Sequence, residues 1–176
     1  MYIRGLATPE QGLDIEHLAQ LHHEEFGSGR EFSTDAVSRA CFKCVMDKER
    51  KYLNGWIVYD DKSMPVGYLS GAMYPSTYSD RFYAIQEMWY VIPRCRGTRA
   101  AILLLNAYEH WAKARNAERI YTQVEHDGDL NTTEYVFGLL QRLGYRKQGY
   151  IAVKTEDKYH HDRSTHRAVG AEQAQH

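Results

Sequence analysis

The chain has 176 residues and a formal charge of −1: long enough for one domain with a substantial core, too neutral for general attraction to nucleic acid. No run approaches the roughly 20 apolar residues of a membrane span. Three cysteines, an odd count, with no secretory signal peptide suit a reducing cytoplasm. Charge is unevenly spread: residues 1–35 hold seven acids against two bases, and residues 91–120 six bases against two acids. The first region would favour a cationic substrate and the second an anionic cofactor.

In chain order, Tyr2 to Leu6 reads as a strand leading through Ala-Thr-Pro-Glu into a helix. Leu13, His17, Leu18 and Leu21, with Glu25 next in the series, recur at helical spacing to about Phe26, and Gly27-Ser28-Gly29-Arg30 breaks the pattern. Ser33 or Thr34 caps a second helix from Asp35 to about Met46, with Val37, Ala40, Cys41, Cys44 and Val45 as its inward stripe. Cys41 and Cys44 have redox or zinc spacing, yet no second pair accompanies them, so they read as half-buried helix cysteines. His22 and His23 lack a third ligand at a suggestive spacing and read as helix-surface residues; no metal site is expected.

Trp56 to Tyr59 and Val66 to Tyr74 form a hairpin about the turn Asp60-Asp61-Lys62. The polar link Pro75 to Arg81, which could border a substrate site, leads to a strand from Phe82 to Ile92. Pro93 to Thr98 is a basic loop, and Ala101, Leu104, Leu105, Tyr108, Trp111 and Ala112 mark one apolar face of the helix after it, which Arg115 and Asn116 close. Arg119 to Glu125 is a fifth strand, residues 126–129 a loop, and a further helix runs to Leu143 before Gly144-Tyr145. A last strand is expected from Tyr150 to Thr155. The domain is thus 1–155, with polar residues 156–176 as a mobile tail.

The informative stretch is Glu87 to Arg115, a strand, a basic loop and an amphipathic helix. The first helical turn has free N–H groups and the positive end of the macrodipole, so a strand delivering the chain to it makes an anion site. Arg94, Arg96 and Arg99 add charge of the same sign. In detail, Pro93-x-x-Arg96-Gly97-Thr98-Arg99-Ala100-Ala101-x-x-Leu104-Leu105 resembles motif A of the GNAT N-acetyltransferases, whose Pro-x-x-Gln/Arg-x-x-Gly-x-Gly/Ala loop wraps the pyrophosphate of acetyl-coenzyme A. Arg96 takes the Gln/Arg position, Ala101 the final Gly/Ala, and Arg99 stands where the central glycine is usual, able either to add a charge-assisted contact or to block the usual geometry. The Arg-Gly-x-Arg-Ala form also resembles that of some phage-borne members.

The resemblance covers residues 1 to about 155 in layout and implies an α/β fold. Its sheet would be mixed, mostly antiparallel and twisted, with six to seven strands, helices on both faces, and acetyl-coenzyme A in a splay between the fourth and fifth strands. It implies that the backbone of Trp89, Tyr90 and Val91 bonds the pantetheine arm and that residues 96–101 hold the pyrophosphate. Glu87, six residues before Pro93, takes the place of a Glu that many members use as general base. A carboxylate within an apolar strand (Met88, Trp89, Val91 and Ile92 follow) is expected to be buried and to hold a proton more tightly; the alternative is an exposed carboxylate paired across the sheet. The Tyr that in many members protonates the leaving thiolate, four residues before the closing Gly, is Leu140 here; the Asn near the start of that helix falls on Thr133, with Asn131 close by. Tyr135 is the acid candidate on the same helix. Otherwise water or another tyrosine serves, or catalysis is lost. The acceptor is a small-molecule or protein amine of open identity. With near-balanced charge and no aromatic–basic interleaving, nucleic acid binding is not expected, and a homodimer is left open.

Overall fold

The computed structural model describes residues 1–27, 31–124 and 130–149. Its elements are β1 (Tyr2–Gly5), α1 (Pro9–Phe26), α2 (Thr34–Met46), β2 (Leu53–Tyr59), β3 (Pro65–Pro75), β4 (Phe82–Val91), a 3-10 turn (Pro93–Cys95), α3 (Ala100–Ala114), β5 (Arg119–Tyr121) and α4 (Leu130–Arg142). One sheet runs in the order β1-β2-β3-β4-β5, antiparallel from β1 to β4 and parallel between β4 and β5. The architecture is therefore the mixed, largely antiparallel sheet flanked by helices. It has five strands among the described residues; the strand expected at 150–155 and the tail at 156–176 lie outside them.

Local chemistry explains the helix starts. Thr8 and Gln11 form a reciprocal capping box with Pro9 behind it, and Ser33, not Thr34, caps α2 by accepting the Ala36 N–H. The α1 stripe differs from the expected one. Gly12, Ile15, Leu18 and Ala19 are buried while Leu13 is 64% exposed. Small residues decide this: Gly12 lies against the Cys41 side chain, where α1 and α2 approach closely. In α2 Cys41 and Cys44 are buried, Val37 and Val45 half-buried, and Ala40 exposed. Burial pushes both thiols up to about 11, which keeps them protonated and unreactive.

On the other face, α3 buries Ala100, Leu104, Leu105, Tyr108, Trp111 and Ala112. Ala101 is half-buried, so Ala100 takes its expected core place. The helix approaches so closely that a Cβ on Gly71 of β3 would sit 2.6 Å from the Tyr108 ring. Tyr108, completely buried, donates its hydroxyl to the Tyr121 carbonyl at 2.9 Å and so ties α3 to β5. Strand β4, buried at Ala84, Gln86, Tyr90 and Val91, lies between the two helical layers.

Candidate active site

Two consecutive polar residues, Gln86 and Glu87, interrupt the alternation of β4. The register passes from Gly71 opposite Gln86 to Ser70 opposite Met88, so Glu87 is the extra residue of a β-bulge. On the other edge, among the described residues, β5 pairs with β4 only from Tyr83 to Ile85. The side chain of Gln86, 5% exposed, then accepts the Gln123 N–H at 3.1 Å, the last link before the strands part. Beyond it lies a cleft of about 650 Å³, lined by Ala101 and Ile102 of α3, by Ala19 and Val37 of α1 and α2, and by one face of α4. It therefore runs through the sheet from one helical layer to the other.

The edge of β4 facing this cleft is selective. Ile92 N–H bonds the Val66 carbonyl, so the backbone of Ile92, and by the two-residue period that of Tyr90, faces β3. Trp89 and Val91 direct theirs to the open edge, and the Val91 carbonyl there accepts the Arg96 Nε–H at 2.9 Å. Of the three residues expected to offer backbone to a ligand, two turn theirs to this open edge. Tyr90 contributes its side chain, stacked on His22 (4.9 Å between ring centres) and donating to Glu25 at 3.1 Å. Burial, then the Glu25 carboxylate, pushes its hydroxyl up to about 12.

At the cleft's other end, Gly97 has φ +78°, a left-handed conformation that only glycine adopts without strain, and a side chain there would meet nothing within 4 Å. The Thr98 hydroxyl donates to the Cys95 carbonyl at 2.7 Å and accepts the Ala100 N–H at 3.3 Å. Arg96, Gly97, Thr98 and Ala101 all line the cleft. Arg96 does so while held: its guanidinium makes two 2.6 Å bonds to Glu25 and lies 5.6 Å from the ring centres of both Phe26 and Tyr90. Burial works against ionisation of Glu25, but the bonds from Arg96 and Tyr90 outweigh it and keep its carboxyl below the usual range.

The other two arginines go elsewhere. Arg94 lines a separate hollow with Leu21, Pro65 and Ile92. Arg99 donates to the Met1 carbonyl at 2.9 Å, and its backbone is ordinary right-handed helix (φ −70°), so the missing glycine costs no strain. Ala100 is in the core.

Glu87 lines the cleft as expected but is exposed, since the bulge turns it off the apolar strand. It accepts the Tyr74 hydroxyl at 2.9 Å, and that carboxylate raises the Tyr74 hydroxyl above its ordinary range. The expected burial of Glu87 is therefore not found. On α4, Thr132, Tyr135, Val136 and Leu139 line the cleft at helical spacing. Tyr135 is among them and 67% exposed; Leu140, 1% exposed, faces the core, and the cleft-lining residue beside Asn131 and Thr133 is Thr132. Gln86, His22, Phe26 and Phe32 also line it and were not singled out for the site. For Gln86 the signal was present, as two polar residues in succession within a strand.

These residues fit an extended arm ending in phosphates. An open strand edge runs towards a helix N-terminus whose loop needs a glycine, and on the same wall the buried indole N–H of Trp89 has no hydrogen-bond partner. Among the described residues no group of three His, Cys, Asp or Glu stands close enough to hold a metal, and no helix is long and apolar enough to cross a membrane.

The sequence matches the acetyltransferase (GNAT) family over residues 15–145, and the chain belongs to that family. No curated protein sequence matches it significantly. Among solved structures it resembles AAC(6')-Iy, in complex with a bisubstrate analogue of coenzyme A and acetylneamine (TM-score 0.67, 14% identity, 88% of this chain and 97% of that one). It also resembles a ribosomal-protein-alanine N-acetyltransferase from Brucella melitensis biovar Abortus (0.62, 11%, 89% and 99%). An aminoglycoside acetyltransferase from an uncultured soil metagenomic sample is a third such structure (0.66, 17%, 88% and 98%).

Proposed function

We propose that the chain transfers an acetyl group from acetyl-coenzyme A to a primary amine. The observation that carries this is the unpaired edge of β4 beyond Gln86, which leads from Glu87 to the N-terminus of α3. When bound, acetyl-coenzyme A supplies an acetyl group activated as a thioester. The amides of Gly97, Arg99 and Ala101 would hold its phosphates, Gly97 providing the turn, and Trp89 and Val91 would offer backbone to its arm. Arg96 orients this corner through its bonds to Val91 and Glu25 rather than as a free charge.

An amine with a pKa near 10 must shed a proton before it attacks. Glu87 receives that proton, directly or through water; Tyr74 fixes its carboxylate and leaves the second oxygen for the task. Tyr135, on the cleft face of α4, returns a proton to the departing thiolate. The acceptors named for the structural neighbours, aminoglycosides and a ribosomal-protein alanine, support an amine as nucleophile.

A binding module without turnover is the second reading, favoured by the core position of Leu140. Thiol release from acetyl-coenzyme A with an amine panel separates the two. The account expects transfer that falls about 10²–10⁴-fold in Glu87→Gln at an unchanged melting temperature. Coenzyme A stabilisation without transfer to any amine would favour the second reading.

A further inference from the structure

The geometry points to an acceptor that is a monoamine on an aromatic or aliphatic body, not a polycation; this rests on the acetyltransferase reading above. On the α1–α2 side of the bulge the cleft wall is made of rings and alkyl groups: His22, Phe26, Phe32, Val37, Tyr68 and Met88. The rings support one another. His22 meets Phe26 edge-on at 5.6 Å, and His23 lies tilted on Phe32 at 5.4 Å. Among the described lining residues Glu87 is the only carboxylate.

Four of the seven acids in residues 1–35, whose abundance in the sequence suggested a cationic substrate, are engaged within the fold. Asp14 accepts the Tyr59 hydroxyl at 2.7 Å, Glu16 the Ser38 hydroxyl, and Glu24 the Gln20 amide at 3.0 Å, while Glu25 holds Arg96. One ammonium suits such a wall, since ring faces attract it and Glu87 can take its proton. Each further ammonium would lose water against rings and alkyl groups with no second carboxylate among the described lining residues to offset the cost. A phenyl-sized body gains by burial against Phe32 and Val37, about thirtyfold in affinity. The aminoglycosides of several structural neighbours carry several ammonium groups and would fit this wall poorly.

The test uses the full chain with coenzyme A, titrated calorimetrically with phenethylamine and with sisomicin, alongside thiol release from acetyl-coenzyme A. Phenethylamine is expected to bind and turn over about tenfold or more better than sisomicin, with less than about threefold change in its affinity between low and high salt, because burial rather than charge holds it. Phe32→Ala should raise KM for phenethylamine about tenfold, a several-fold larger change than it makes for methylamine. Phe32→Leu should fall between, which guards against a folding defect. Preference for sisomicin, with steep salt dependence, would overturn the inference while sparing the acetyltransferase reading. A chain that takes up no coenzyme A would overturn both.

Discussion

The two edges of β4 have opposite fates. Against β3 the strand is paired from Phe82 to Val91 with one bulge, and against β5 it is paired, among the described residues, only from Tyr83 to Ile85. An unpaired strand edge inside a domain is ordinarily a liability, because its N–H and C=O groups lose water without gaining partners. Here a buried glutamine closes the ladder and an arginine takes one carbonyl, and on the proposed function the remaining edge groups meet the arm of coenzyme A. One edge provides stability, and the proposed function assigns the other to recognition.

Substitutions should separate those roles. The largest effect is expected in the core against the sheet: Tyr108→Ala removes a completely buried ring and its bond to β5, costing about 3–5 kcal/mol. That is roughly 10 °C or more of melting temperature for a chain of this size. Below the melting temperature, coenzyme A affinity should stay close to normal by calorimetry. Gly97→Ala should do the reverse. Forcing a side chain into φ +78° costs about 1–2 kcal/mol, and if the loop relaxes instead, coenzyme A binding falls about tenfold while the melting temperature barely moves.

The smallest effect belongs to Glu25→Gln. Its partner Arg96 is 40% exposed and Glu25 itself 29%, so solvent screening holds the loss to about 0–1 kcal/mol. Acid should mimic it. Because the folded protein holds Glu25 below its usual range, the clamp is fully present above that range and is lost as pH falls through and beneath it. Carboxyl chemical shifts of Glu25 followed below about pH 4.3 check the sign.

Local chemistry made part of this legible from the sequence. Pro93, Gly97 and the apolar stripe of α3 act over a few residues, so the strand–loop–helix unit could be read directly. Other features depend on partners remote in the chain. Arg99 finds Met1 and Arg96 finds Glu25, and the burial of Gly12 in place of Leu13 depends on α2. A bulge turned Glu87 outward although the residues that follow it in the strand are apolar. Its sign in the sequence is the Gln86–Glu87 pair, and its consequence required the register with β3.

Amide hydrogen exchange along β4 tests the division of edges most directly, since it reads each N–H separately. The account predicts that Tyr90 and Ile92 exchange slowly with or without coenzyme A, while Trp89 and Val91 exchange fast in the free chain and become protected when coenzyme A is added. Trp89 and Val91 amides that stay fast in the saturated complex would contradict it.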